Sequence, residues 1–253
     1  MPLNEEASAL KPLISKPRRL LAIFPHPDDE SYGPAGTLYR NASRDDTAVA
    51  VYTMTRGEAS SMGKERGISP DEVAAIRRER LEIVDKALGL DVLLTGSFPD
   101  SGMAHTPLAD MAGAIGDAID AMQPQVIIAH DPRGVNAHAD HIAAHWAIRT
   151  ALLTRPNVRL AMVAYLQELA DQIAPRLMFP TPEDQIDCEI ELTPDEVAVK
   201  QTCLEAHDAI VTMNEDEESE KMVRPPIERF SFFRETVRPV VSDLFDQALS
   251  PGL

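Results

Sequence analysis

Cysteine is nearly absent from this chain of 253 residues, which holds only Cys188 and Cys203. Two thiols build neither a disulfide framework nor a thiolate zinc cage, and a reducing cytoplasm is the expected setting. Aromatic residues make up only 5%, too few for a platform on which single-stranded nucleic acid stacks. Positive charge is also scarce. With 24 Lys and Arg against 41 Asp and Glu the net charge is −17, and the mean field repels nucleic acid and anionic membranes alike. The local group Arg77, Arg78 and Arg80 does not reverse this, since it reads as the solvated face of a helix. No apolar run reaches the roughly 18 residues of a spanning helix. Arg18-Arg19 is followed by five apolar residues, too short a run for a signal peptide. The protein is therefore expected to be soluble, not exported, and without nucleic-acid or membrane partners. A dinucleotide-binding module is disfavoured as well, because no Gly-rich GxGxxG turn follows the first apolar strand.

What is present is an ordinary globular balance, 44% hydrophobic and 26% charged, on a chain long enough to bury a large core. Residues 1–17 read as a loosely held arm, and 18–253 as a single domain. Strands are expected at Leu20–Phe24, Ala48–Thr53, Asp91–Phe98, Gln125–Ala129 and Leu160–Leu166. Helices alternate with them. One runs over Gly33–Arg44. A second starts at Ser69-Pro70-Asp71-Glu72, with Ser as N-cap, Pro at the first helical position and Glu closing a capping box, and turns Val73, Ile76, Leu81, Ile83, Val84 and Leu88 to the core before Gly89. A third spans Pro107–Met122, and a fourth runs from the histidine-rich stretch at 137–146 to Leu153. The stretch between Thr55 and Gly67 reads as a Ser/Gly-rich loop. Beyond Leu166 the pattern is less regular, with a strand at Ile186–Leu192, a capped helix from Thr193 to Ile210 and an acidic run, Glu215-Asp216-Glu217-Glu218, read as an exposed loop.

This alternation implies an α/β fold, a Rossmann-like three-layer sandwich whose mostly parallel sheet carries helices on both faces. In the order 3-2-1-4-5 the winding reverses between strands one and four, and ligands bind in the crevice past their carboxyl ends. Two groups of ionisable residues fall there. After strand one stands His26-Pro-Asp28-Asp29-Glu30, and after strand four His138-Ala-Asp140-His141, with His145 one turn on. Adjacent carboxylates repel, and burial would penalise each of them, so a cation explains them best. Imidazole and carboxylate suit Zn²⁺ or a similar divalent ion: His26 with Asp28 or Asp29 supplies two ligands, and His138, His141 or His145 a third. The aspartate left over is free to act as a base, and a histidine of the second group to stabilise an oxyanion or protonate a leaving amine. The chemistry is metal-assisted hydrolysis of an amide or ester.

Phe24-Pro-His26-Pro-Asp28-Asp29-Glu30 with His138-Ala-Asp140-His141 resembles the PIG-L/LmbE family of zinc-dependent N-deacetylases, which act on N-acetylglucosaminyl compounds. The likeness covers about residues 18–210. It implies zinc held by His26, Asp29 and His141, with iron or manganese also suited to such ligands. It implies Asp28 as general base, and His138, held by Asp140, as oxyanion stabiliser or acid. Arg56 and Asp100 match segments that line the sugar site, each with a plainer reading as a surface ion pair and a turn cap. The implied partner is a small amino-sugar substrate, and homo-oligomers are common in the family. Asn136 stands where several members carry an aromatic residue. After His207 the family's usual Ser-Gln is replaced by Asp208-Ala209, so His207 is expected to be structural. An amidase on a sugar-linked thiol conjugate and a non-catalytic metal- or sugar-binding relative are the rival readings.

Overall fold

A computed structural model of the chain describes residues 6–173, 178–209, 211–213 and 222–247. The acidic run 215–218 lies outside them. Strand β1 (Arg18–Phe24) leads into the short helix α1 (Asp29–Tyr32) and then α2 (Ala35–Ala42). Next come β2 (Thr47–Thr55), α3 (Ser61–Arg66), α4 (Pro70–Leu88), β3 (Val92–Phe98) and α5 (Leu108–Met122). Strand β4 (Val126–Ala129) is followed by a kinked turn, α6 (Gly134–Ala137), and by α7 (Ala139–Ala151), β5 (Arg159–Ala164) and α8 (Gln167–Ile173). The remainder comprises β6 (Cys188–Glu191), α9 (Pro194–Ala206), the minor pair β7 (Val211–Thr212) and β8 (Met222–Val223), and β9 (Ile227–Phe232).

The sheet runs β3-β2-β1-β4-β5-β9-β6. Its first five strands are parallel, in the expected order, and β9 joins antiparallel to both β5 and β6. Alternate residues of β1 feed two separate cores, as the pleat requires. Leu21 and Ile23 pack with Tyr52, Ile115, Ile127 and Ile148 on the α5 and α7 side. Leu20, Ala22 and Phe24 pack with Leu38, Val51, Val84 and Phe230 on the other. Each fully buried large side chain contributes about 1.5–3 kcal/mol, which is why β1 and β2 tolerate polar groups only at their ends.

Several local expectations are met. Ser69 and Glu72 form the capping box of α4, which stops at Gly89 in the left-handed conformation, and Thr193 and Glu196 do the same for α9. Others are corrected. Helix α9 ends at Ala206, short of Ile210. Ile83 points to solvent, since α4 buries the stripe Val73, Ala74, Arg77, Leu81, Val84 and Leu88 and not the face that carries Ile83. Helix α3 occupies part of the expected Ser/Gly-rich loop, with Ser60 as its cap. Residues Glu6–Ser15, within the expected loose arm, form a 3-10 helix that seats Leu10 fully buried in the α5-side core. Strand β9 had no clear signal, because a strand at a sheet's far side is recruited by its neighbours and not by its own pattern.

Candidate active site

Strands β1 and β4 lie side by side, with Leu20 opposite Val126 and Ala22 opposite Ile128, so the segments leaving their carboxyl ends share one crevice. The first segment is tied to β2: Thr55 donates both its backbone N–H (3.0 Å) and its hydroxyl (2.8 Å) to the Pro25 carbonyl. That anchor holds His26 over the sheet edge. The second segment turns at Gly134, whose φ of +66° suits glycine and where a Cβ would lie 3.0 Å from the Cβ of His141. Helix α7 then begins at His138, putting Asp140 and His141 in its first turn.

The rings are held in defined tautomers. His141 Nδ1 lies 3.1 Å from the Gly134 carbonyl and donates to it, which leaves a lone pair on Nε2. His26 Nε2 faces Asp140 Oδ2 at 3.2 Å and Asp100 Oδ1 at 3.3 Å, which places a proton there and turns Nδ1 inward. The two inward-facing nitrogens, His26 Nδ1 and His141 Nε2, stand 3.2 Å apart. Asp29 completes the group, Oδ2 lying 3.5 Å from His26 Nδ1 and Oδ1 3.4 Å from His141 Nε2. Two facing imidazole nitrogens beside a carboxylate call for a positive charge among them, which a shared proton or a metal ion supplies. A tetrahedral ion with bonds of about 2.0–2.1 Å sets its ligand atoms roughly 3.3 Å apart, so the spacing and chemistry of His26, Asp29 and His141 fit a divalent metal.

Electrostatics agree with that reading. Burial opposes charge on His26, yet the carboxylates of Asp100, Asp140 and Asp29 outweigh it and push the imidazole up to about 12, so the locality favours positive charge. Asp29, despite its burial, is held well below the usual carboxylate range by His141, His130 and His26. Asp28 behaves oppositely. Burial pushes its carboxyl up to about 6, against the pull of Arg77, which suits a proton acceptor working near neutrality. His138 is kept below its ordinary value by burial and by His26.

The expected site residues do not all sit as anticipated. His26, Asp28, Asp29, His138, Asp140 and His141 converge, the His138 ring lying 4.7 Å from His26 and 4.8 Å from His141. The carboxylate of Asp140, expected to hold His138, instead faces His26 and accepts the N–H groups of Ser101 (2.7 Å) and Met103 (3.0 Å). It is the Asp140 backbone N–H that reaches His138 Nδ1, at 3.3 Å. Asp100 braces His26 and accepts the Ala59 N–H at 2.8 Å. Arg56 stands apart on the surface, paired with Asp71 at 3.1 Å, as its plainer reading had it. His145 lies behind the site, its Nδ1 2.9 Å from the His130 carbonyl.

Three residues escaped the sequence reading. His130, the first residue past β4, is buried, stacks on His141 at 4.0 Å and lies 3.6 Å from Asp29. Its place just past a strand end was the available signal. Arg77, read as part of a solvated face, is buried: it donates to the Pro27 carbonyl and pairs with Asp28 Oδ2 at 3.1 Å. It falls four residues after Val73 and four before Leu81, on the buried stripe, and that spacing could have exposed it. Arg80 is also largely covered, and only Arg78 behaves as a solvated charge. Glu58 accepts the Asp100 N–H at 3.2 Å.

The backbone of Asp28 is strained. Its φ is 144° with ψ −24°, a conformation that costs a non-glycine residue on the order of 1–3 kcal/mol and persists only where neighbours impose it.

Residues 21–152, just over half of the chain, match the family model described as PIG-L: GlcNAc-PI de-N-acetylase. The chain belongs to the PIG-L family. A curated PIG-L relative, 1D-myo-inositol 2-acetamido-2-deoxy-alpha-D-glucopyranoside deacetylase of Nakamurella multipartita, is 35% identical over 54% of this chain and 55% of its own length. The protein of the same name from Mycolicibacterium smegmatis is 29% identical over 78% of this chain and 82% of its own. The chain thus spans about half of the first relative and most of the second. Among solved structures, the zinc-inhibited form of teicoplanin deacetylase Orf2 superposes with a TM-score of 0.63 at 18% identity, covering 86% of this chain and 100% of that one, a likeness of fold. No helix among the described residues is long and apolar enough to cross a membrane.

Proposed function

We propose that this PIG-L family protein is a metal-dependent N-deacetylase that hydrolyses the acetamide of an N-acetylglucosamine-type sugar or glycoconjugate. The observation that carries this reading is the convergence of His26 Nδ1 and His141 Nε2, 3.2 Å apart, beside the Asp29 carboxylate, with a spare carboxyl on Asp28 next to them. His26, Asp29 and His141 would hold the ion, zinc first, with iron or manganese also suited to two imidazoles and one carboxylate. A divalent ion there supplies Lewis acidity, acidifying water and polarising an acyl oxygen.

The chain's own groups do the rest. Asp28, raised to about 6 by burial, takes the proton of the attacking water and hands it to the departing amine. His138 accepts the Asp140 N–H at Nδ1, so its neutral ring carries the proton on Nε2 and can donate to the developing oxyanion. Asp140 and Asp100 fix the His26 ring through its outer nitrogen. Arg77 holds Asp28 in place. Arg56 is assigned to the rim, where it would meet the sugar or what the sugar carries. The relatives named for an inositol-linked N-acetylglucosamine make that compound the first substrate to try. Cys188 and Cys203 are free and buried, and we place the protein in the cytoplasm.

The decisive experiment combines metal analysis of the purified chain with an acetate-release screen over N-acetylglucosamine, its glycosides and its oligomers. About one divalent ion per chain, acetate release, and its loss on chelation with recovery on metal addition are expected. Well under one equivalent of metal together with no acetate from any of these substrates overturns the proposal.

A further inference from the structure

Glu30 is completely buried, yet neither the metal donors nor the proposed proton transfer uses it. A buried carboxylate with no task is costly, and an apolar residue would fill the space more cheaply. Its hydrogen bonds show where it acts. Oε2 accepts the backbone N–H of Asp28 at 3.0 Å, while Oε1 accepts the Ser31 hydroxyl at 2.7 Å and lies 3.0 Å from His207 Nε2.

His207 sits just past the end of α9, also buried, and is itself well fixed. Its N–H donates to the Leu204 carbonyl at 3.3 Å, and its carbonyl accepts from Arg80 of α4 at 3.2 Å. Among the described residues its Nδ1 has no hydrogen-bond partner, and the side chain's polar bond there is the one to Glu30. A neutral ring with its proton on Nε2 meets that geometry, since Nδ1 then carries only a lone pair.

The far end of this chain of contacts is the strained residue. Asp28, at φ 144°, is held on every side: by Glu30 at its N–H, by the Ser31 and Tyr32 N–H groups at its carbonyl (2.9 and 3.0 Å), and by Arg77 at its carboxylate. Arg77 ties its carboxylate to α4, and Glu30, through His207, ties its backbone N–H to the end of α9. We infer that His207 and Glu30 are positioning residues that lock Asp28 in this conformation, so that α9 sets the aim of the proposed base without touching metal or substrate. Asp29, the next residue, turns its carboxylate the other way, to His26 and His141. The brace is thus what lets adjacent aspartates serve two tasks. This inference rests on the hydrolase reading for its kinetic consequence, and on the backbone of Asp28 for its structural one.

The test uses the full-length chain with metal bound. In His207→Ala and Glu30→Gln, kcat is expected to fall about ten- to a hundredfold, as for a misplaced catalytic group, with KM and bound metal within about twofold of the parent. His207→Gln, whose amide N–H can still donate to Glu30, is expected to recover most of the loss. A crystal structure of His207→Ala should show Asp28 relaxed to negative φ. Parent kcat in His207→Ala, a loss carried by KM or metal content, no recovery in His207→Gln, or Asp28 unmoved in the crystal would each overturn the brace. If His207→Ala does not fold, Glu30→Gln carries both the kinetic and the crystallographic test. A parent chain that deacetylates nothing strikes the hydrolase reading instead, and the Asp28 backbone then decides the brace alone.

Discussion

The two segments that meet at the switch point are built differently. The one after β1 is a tight turn in which Asp29 and Glu30 are buried, Asp28 is strained, and neighbours from β2, α4 and α9 hold its backbone or side chains. The one after β4 starts buried at His130 and Asp131 but opens in its middle, where Asn136 is exposed and His138 half-buried, before helix α7 returns it to the interior at Asp140. The first segment can therefore hold charge at a defined point, which a base and a metal ligand require. The second keeps one imidazole, that of His138, half-exposed, as the proposed reaction needs for meeting an acyl group. Rigid and accessible halves make one site because neither property is needed on both sides.

The strongest way to break this contrast is to remove the function of each half. Asp28→Asn should lower kcat by about 10²–10⁴-fold while metal analysis still finds the ion. His141→Ala should lose both metal and turnover. If Asp28→Asn hydrolyses at the parent rate, the base has been misassigned. On the open side, His138→Ala should cost about 10²–10³ in kcat with metal retained, and an unchanged rate would mean that the oxyanion is met by another donor.

Next in size is Arg77→Met, which leaves Asp28 poorly exposed and unpaired. Breaking such a pair costs about 3–5 kcal/mol when fully buried, and the Asp28 side chain keeps 26% exposure, so denaturant unfolding should show roughly half of that together with a fall in kcat. Loss of kcat without loss of stability would mean that Arg77 serves aim alone. The smallest effect belongs to Arg56→Ala at the exposed rim. Its ion pair with Asp71 should contribute less than about 1 kcal/mol, and any functional change should appear in KM. A fall in kcat at saturating substrate would move Arg56 from the rim into the reacting centre.

Much of this was legible beforehand. The residues from His26 to Asp29, with His138 and His141, pointed to a metal site because such groups are unstable together without a cation, and the structure brings them to one place. The strand alternation placed them at one edge because parallel crossovers follow few routes. Other features were not legible. Arg77 carries a positive charge on a helix otherwise rich in exposed charge, and only the lie of α4 against the β1 turn shows that this charge is covered. His207 lies 177 positions from Glu30, and no periodic pattern links two residues on elements whose packing is set by the sheet. The family resemblance implied Asp140 as the partner of His138, but its side chain points to the ring brought in from β1.

By itself, then, the amino-acid order determined the parallel sheet, the crevice and the two motifs that meet there, since hydrophobic periodicity and chain handedness act locally and leave few alternatives. The tertiary structure alone decided which nitrogen of each ring is free, which aspartate turns inward, and how a disfavoured backbone angle is kept. Those depend on hydrogen bonds of about 3 Å between elements far apart in the chain, and directional contacts of that kind exist only once the elements have packed.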